Sequence, residues 1–189
     1  IAYLNTVSDG AFTGDLRVAA TGQLSELGHV SRVDHVDEKT SAAHLAAADV
    51  FFTSAAPSTA IREEFGARLV GESVRDGAAS GAGFHAPERV EQFRRWGADQ
   101  RNGAVDGMDI VDTRHLIDVA AYFCGTGSDF ACRITDELVR VAEERDRYRL
   151  RVSGGADESE RFRVRHEPTG DNGNTVTTES AGSMPVDEQ

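Results

Sequence analysis

Short apolar runs alternate with amphipathic segments over residues 1–71 of the chain. The apolar runs predict four strands, at Ile1–Asn5, His29–Asp34, Asp49–Thr53 and Ala67–Gly71. Apolar residues at helical spacing between them predict three helices, at Asp15–Leu27, Ser41–Ala48 and Ser58–Phe65. Strands separated by helices are typical of βαβ units, so the pattern predicts a parallel sheet with helices packed against it.

A glycine-rich segment, Glu72–Phe84, follows this region and predicts a loop. Four elements are predicted beyond the loop: a helix from Pro87 to Gly97, a strand at Met108–Val111, a helix capped by Asp112 or Thr113 that runs through Phe123, and a helix from about Ser128 to Tyr148.

The C-terminal part of the chain has a different pattern. Basic and apolar residues alternate at Arg149–Ser153 and Arg161–His166, which predicts an edge hairpin. After Pro168 almost nothing apolar remains, and this predicts a disordered acidic tail. We therefore expect an α/β domain over residues 1–152, a small C-terminal β hairpin over residues 153–167 and the tail over residues 168–189. The domain is expected to be a three-layer, Rossmann-like open parallel sheet.

The charge balance bears on the medium in which the protein works. The chain has 32 acidic residues against 20 basic ones, and Lys39 is its single lysine. Repulsion from a net charge of −12 reaches about 10 Å at 0.1 M salt but only about 3 Å at 1 M. This predicts a halophilic protein; a GC-rich genome that favours arginine, alanine, glycine and aspartate codons is the alternative.

The acidic composition also bears on which classes of partner the protein can bind. An acidic chain is not expected to bind nucleic acid or an anionic membrane. No apolar run approaches the roughly 20 residues of a membrane span, so we expect no integral membrane segment and a cytoplasmic location. Cys124 and Cys132 are predicted to be a reduced, buried pair, although in an oxidising compartment they would close a small disulfide loop.

Candidate ligand-binding residues come from the loops that follow the predicted strands. In an open parallel sheet, ligands bind at the carboxyl ends of the strands, where loops lead into helices. Gly10, Gly14, Ser54 and Ser58 lie in such loops, although loops of this kind are rich in glycine and serine simply because they turn and cap. Neither the GxGxxG fingerprint nor a P-loop is present, so no cofactor is predicted.

Two further positions suggest chemistry. Asp34 ends the second predicted strand, where an acidic residue commonly binds a ribose hydroxyl. With His35 and Asp37 it forms an Asp-His-x-Asp cluster that suits a metal, but an ordinary solvated surface is the favoured interpretation in so acidic a chain. His85 directly follows the glycine-rich loop and is the candidate general base, since histidine transfers protons near neutral pH.

Acidic residues and a histidine also recur every third position from residue 106: Asp106, Asp109, Asp112, His115 and Asp118. Successive members of such a series turn by about 60° around a helix, so they share no face. A metal or acid–base site built from Asp109, Asp112 and His115 is nevertheless an alternative. We predict no metal site.

Two segments resemble the N-terminal, acceptor-side half of GT-B glycosyltransferases. They are the opening IAYLNTVSDGAFTGDLRVAATGQLSELGHVSRVD, with its Leu27-Gly28-His29 turn, and Ala48–Gly71. The resemblance covers about residues 1–71 and implies a Rossmann-like fold with Gly10, Gly14 and His85 near an acceptor cleft. It also implies a second Rossmann-like domain for the sugar nucleotide, for which 189 residues leave no room.

We therefore expect a nucleotide- or sugar-binding Rossmann-like domain that forms part of a glycosyltransferase, with a sugar nucleotide or a glycan acceptor as its partner. Two alternatives stay open. One is a non-catalytic interaction or regulatory domain that uses the arginine-bearing strands and the tail. The other is a metal-dependent enzyme that uses the cluster between Asp109 and His115. The sequence leaves the substrate, catalytic competence and oligomeric state open.

Overall fold

The computed structural model describes residues 1–72, 83–103 and 107–154. Its six helices are α1 (Ala2–Val7), α2 (Val36–Leu45), α3 (Thr59–Glu64), α4 (Pro87–Arg101), α5 (Leu116–Gly125) and α6 (Asp129–Gly154). Its six strands are β1 (Val18–Ala20), β2 (Gln23–Leu24), β3 (Val30–Ser31), β4 (Val50–Thr53), β5 (Arg68–Val70) and β6 (Asp109–Asp112).

Four of the strands form a parallel sheet in the order β1-β4-β6-β5. In the middle of this sheet Phe51 of β4 lies between Ala19 of β1 and Ile110 of β6. The other two strands, β2 and β3, pair antiparallel in a small hairpin inserted between β1 and α2. The predicted α/β class and the parallel sheet are therefore confirmed, and the arrangement is compatible with a Rossmann-like fold.

Hydrophobic residues are buried on both faces of the sheet because neighbouring residues of a strand point to opposite sides. Val50, Phe52 and Val111 join residues of α4, α5 and α6 in the larger core. Phe51 and Ile110 point the other way and pack with Ala43 of α2 in a smaller core. The sheet thus lies between two helical layers.

The first two predicted elements are wrong. Ile1–Asn5 was predicted as a strand but belongs to α1, whose Ile1 and Leu4 pack against the larger core. Asp15–Leu27 was predicted as a helix but contains β1 and β2. Gly22 directly precedes β2 and lies against the Val30 side chain of β3, which a Cβ at this position would overlap, so glycine suits the entry to the hairpin.

Three predicted boundaries in the second half also differ. Gly97 does not end α4, because it is the point where α4 lies against the Tyr122 carbonyl of α5 and a Cβ would overlap that oxygen. The N-cap of α5 is His115 and neither Asp112 nor Thr113. Arg149–Ser153 was predicted as a strand but lies within α6. Arg161–His166 and the predicted tail lie outside the described residues.

Cys124 and Cys132 form a disulfide that joins the end of α5 to the start of α6, so the prediction of a reduced pair is wrong. Disulfides are rare in cytosolic proteins. The disulfide thus gives no support to the cytoplasmic location, which stays a prediction. Among the described residues, no helix combines the length and the apolar character that a bilayer span needs.

Candidate functional site

The order of the strands places a topological switch point between β4 and β6. The chain leaves β4 towards α3, which neighbours α2, whereas it leaves β6 towards α5 in the opposite layer. Connections that diverge in this way open a crevice at the carboxyl ends of two adjacent strands, where open α/β sheets bind their ligands. The carboxyl edge beside β4 and β6 is therefore the candidate site.

A groove of about 390 Å³ opens at this edge. One wall is the segment Arg32–Glu38, which leads from β3 into α2, and the other is Ala55–Ala56, which follows β4. Asp34 is exposed and lines the groove. It was predicted to end a strand of the parallel sheet at His29–Asp34, but it follows β3, which pairs antiparallel with β2 outside that sheet. The Nζ of Lys39 donates a hydrogen bond to the Asp34 carbonyl at 2.9 Å, which fixes the backbone and leaves the carboxylate available.

The two predicted serines lie beside this groove, and both make structural contacts. The Ser58 side chain caps α3 by accepting from the Ile61 N–H, and the Ser58 N–H donates to Asp37 Oδ1 at 2.7 Å. This last contact joins the starts of α2 and α3. The Ser54 hydroxyl is fully buried and donates to the Ser31 carbonyl at 2.7 Å, so it holds the hairpin to the end of β4.

The charges of the groove favour hydroxyl groups over phosphates. Asp34, Asp37 and Glu38 bring three carboxylates to its lining, against the guanidinium of Arg32. The pKa of Glu38 is lowered, first by a hydrogen bond from its own backbone N–H and then by the His35 ring, so this carboxylate is negative at neutral pH. Carboxylates accept hydrogen bonds from sugar hydroxyls but repel a phosphate.

On the β6 side of the switch point, His115 ties the hairpin to α5. Its Nδ1 accepts from the Ile117 N–H, so the ring proton is on Nε2, which donates to the Leu27 carbonyl at 2.9 Å. Burial lowers the pKa of His115, while the Leu27 carbonyl and the Asp118 carboxylate act against that shift. His115 is therefore a neutral, structural histidine.

Aromatic rings pack around His115. His29 lies edge-on to it at 5.2 Å between ring centroids, and Phe84 stacks on it at 5.1 Å. The guanidinium carbon of Arg89 also lies over the Phe84 ring, 5.2 Å from its centroid. The cluster surrounds the N-cap of α5, which follows β6 in the chain.

His85, the predicted catalytic base, lies at the same edge but in the layer of α4 and α6. Its Nε2 is 3.7 Å from Asp146 Oδ2 of α6. His85 does not line the groove that contains Asp34. The structure therefore does not bring the predicted base and the predicted hydroxyl-binding residue together.

The two predicted glycines are at the opposite edge of the sheet. Gly10 and Gly14 were expected in the loop after the first strand, but the first strand of the parallel sheet is β1, and both precede it. Gly14 lines a different cavity, together with the end of α4 and the turn between α5 and α6. The loop therefore does not join the candidate site.

The acidic series from residue 106 supplies structural contacts where it is described. Asp109 is fully buried and accepts from Arg68 and from the Tyr122 hydroxyl. Asp118 accepts from Arg89, and Asp112 lies 3.3 Å from Arg114 Nε. Within the described residues, no group of three His, Cys, Asp or Glu is placed to hold a metal ion. The alternative of a metal site at Asp109, Asp112 and His115 is therefore not supported; Asp106 lies outside the described residues.

Sequence reasoning missed the aromatic cluster and the groove wall at Ala55–Ala56. Only the position of Ala55–Ala56 directly after a buried strand would have indicated that wall. No protein-family model, no curated protein and no solved structure matches the chain.

Proposed function

We propose that the chain is a sugar- or nucleotide-binding α/β domain that holds the hydroxyl-bearing part of its ligand in the groove at Arg32–Glu38 and Ala55–Ala56. The observation that carries the proposal is the position of Asp34. Its carboxylate lines a groove at the carboxyl edge, beside the switch point between β4 and β6. A carboxylate there accepts hydrogen bonds from the hydroxyl groups of a ribose or a hexose.

The excess of negative charge in the lining argues for a neutral sugar over a pyrophosphate as the group that enters the groove. In a sugar nucleotide the diphosphate would then remain towards solvent, with Arg32 as the cationic side chain of the lining. Membership in a glycosyltransferase rests on the resemblance alone. Only residues 48–71 support this resemblance through their secondary structure, because β4, α3 and β5 follow there in the predicted order of strand, helix and strand. His85 receives no catalytic role in this proposal.

The test is a thermal-shift and calorimetric titration of the full chain in concentrated salt. The ligands are UDP-glucose, GDP-mannose, the free nucleoside diphosphates and free glucose and mannose. We expect a sugar-bearing ligand to raise the melting temperature, and Asp34→Asn to reduce its affinity about tenfold, since a hydrogen bond to a charged group contributes about 1.5–3 kcal/mol.

Asp9→Asn is the matched control, because Asp9 is an exposed carboxylate outside the groove and its positive φ of 51° is tolerated by asparagine. It should leave the affinity unchanged. A panel in which no ligand shifts the melting temperature, or equal affinities of wild type and Asp34→Asn, would refute the proposal.

A further inference from the structure

The amino edge of the parallel sheet, opposite the groove, carries a second cavity of about 420 Å³. Three segments enclose it: the loop before β1, the end of α4 and the turn between α5 and α6. The cavity lies near the start of β4, because Gln100, one of its lining residues, donates from Nε2 to the carbonyl of Asp49, the residue that precedes β4. The volume lies within the roughly 300–1,000 Å³ that is usual for small-molecule pockets.

Two opposite charges line this cavity without pairing with each other. They are the carboxylate of Asp15 and the guanidinium of Arg101. Within the described parts of the chain, neither side chain makes an ion pair or a hydrogen bond. At the same edge Arg17 and Asp49 do pair, with 3.0 Å between Nη2 and Oδ1. The walls of the cavity therefore hold a positive and a negative group apart.

Gln100 contributes an amide group to the wall behind these charges. Gln100 lines the cavity, and its Oε1 is buried without a hydrogen-bond partner among the described residues. Because this oxygen is closed off from solvent, it belongs to the wall and does not itself contact a ligand in the cavity.

The hydroxyl groups elsewhere in the wall already make hydrogen bonds within the protein, and these bonds hold the wall of the cavity in place. The Thr126 hydroxyl donates to the Phe123 carbonyl, and the Ser128 hydroxyl donates to the Ala11 carbonyl. Gly127 lies directly under the Arg101 guanidinium, where a Cβ would overlap it. These three wall residues lie within the loop that the Cys124–Cys132 disulfide closes.

We propose that this cavity binds a small zwitterion of the amino-acid type. The carboxylate of the ligand pairs with Arg101, and its ammonium group donates to the Asp15 carboxylate. A simple anion would satisfy Arg101 and be repelled by Asp15, and a simple cation would do the reverse. Only a molecule with both charges complements both walls. This site is independent of the groove at the carboxyl edge.

The experiment titrates the full chain, at one fixed salt concentration, with glycine, L-alanine, L-serine and L-leucine. Binding is followed by calorimetry and by the amide NMR shifts of Gly14 and Gly127. Propionate and ethylamine serve as L-alanine analogues that lack one of the two charges. We expect saturable binding of at least one amino acid, with shifts at both glycines, and affinities about tenfold lower or more for the single-charge analogues.

Arg101→Gln and Asp15→Asn should each lower the affinity about tenfold or more. Both positions are exposed, and unchanged melting curves will show that the variants fold. The matched controls are Arg95→Gln, an exposed arginine on the same helix, and Asp9→Asn; both should bind as the wild type does. The proposal is overturned if no amino acid saturates, if a single-charge analogue binds equally well, or if Arg101→Gln or Asp15→Asn leaves the affinity unchanged. Asp34→Asn should have no effect here, which separates this site from the groove.

Discussion

Arg89 and Asp118 form a two-point ion pair that joins α4 to α5. Nε and Nη2 of Arg89 donate to different oxygens of Asp118, both at 2.8 Å, and the two side chains are only 6% and 1% exposed. Asp118 Oδ2 also accepts from the backbone N–H groups of Arg114 and His115. The Asp118 carboxylate thus anchors α4 and also the N-terminus of α5, the helix to which Asp118 itself belongs.

Replacing Arg89 by methionine should destabilise the protein by about 3–5 kcal/mol, because the Asp118 carboxylate would stay buried without its cation. The measurement is urea unfolding at constant salt. Arg147→Met is the control: it removes an exposed pair with Glu143, which should cost no more than about 0.5 kcal/mol. Equal midpoints for Arg89→Met and the wild type would contradict the structural role of the pair.

Tyr122 provides a prediction for alkaline pH. Burial, and after it the Asp109 carboxylate, raise the pKa of Tyr122 far above its ordinary value of 10.0. The folded state therefore favours the neutral phenol. This contribution to stability is complete below about pH 10 and is lost as the pH rises above it, because only the unfolded chain then releases the proton.

The absorbance of the phenolate reports whether Tyr122 has released its proton. The difference between wild type and Tyr122→Phe should show no titrating tyrosine until the protein unfolds. The variant should also lose about 1–3 kcal/mol, since the buried Asp109 loses a donor that lies 2.6 Å away. A difference titration centred near pH 10 in folded protein would count against the buried network.

His115 gives the opposite dependence on pH. Burial lowers its pKa below the ordinary 6.5, although Asp118 and the Leu27 carbonyl act against this, and His29 and Arg145 add to it. The folded state resists protonation, so the stability is complete above about pH 6.5 and falls as the pH decreases and the unfolded chain binds the proton.

The variant His115→Asn separates the two contacts of this ring, because asparagine is a good N-cap but does not reach the Leu27 carbonyl. We expect a shallower loss of stability below about pH 6.5 than in the wild type. Faster hydrogen exchange is also expected at Val30 and Leu116, whose N–H groups bond to Arg114 and Gly28 across the hairpin junction. Exchange rates and a pH slope identical to those of the wild type would show that His115 does not hold the hairpin.

The sequence predicts the fold best where local and long-range signals agree. At Asp49–Thr53 a continuous apolar run became β4, which is buried on both faces as central parallel strands are. The helical spacing of Leu16, Ala20, Leu24 and Leu27 predicted the wrong element: two short strands, β1 with Ala20 and β2 with Leu24, and the residues beside them reproduce the same period by coincidence. Arg149–Ser153 alternates as a strand does, but it lies within α6.

The candidate site was predictable only in part. Ser58 lies at the carboxyl edge as expected, because the order of β4 and α3 was correct. Asp34 reaches the same edge from the hairpin strand β3 and not from the parallel strand predicted at His29–Asp34. Gly10 and Gly14 lie at the other edge, because their placement depended on a strand at Ile1–Asn5 that is a helix. Contacts such as Arg68 with Asp109 join residues 41 positions apart, and charge alone cannot identify partners among 32 acids.

The disulfide should contribute about 2–3 kcal/mol to stability, the value expected for a closed loop of about nine residues. The double variant Cys124→Ser/Cys132→Ser should show this loss in urea unfolding. Treatment of the wild type with a dithiol reductant should produce the same loss, and the double variant should not respond to the reductant. A wild type that is equally stable before and after complete reduction would show that the crosslink does not stabilise the fold.

The acidity of the chain leads to the last prediction, that stability increases with salt. A net charge of −12 opposes the compact state, and screening removes most of this repulsion as the Debye length falls from about 10 Å at 0.1 M to about 3 Å at 1 M. Urea unfolding in a series of potassium chloride concentrations should therefore give midpoints that rise steeply up to about 1 M and more slowly above it. Exposed pairs such as Arg140 with Glu137 and Glu144 are weakened by the same screening, so they work against the trend. A midpoint that falls as salt is added would show that attraction between the exposed charges outweighs their repulsion, and the halophilic interpretation would then be wrong.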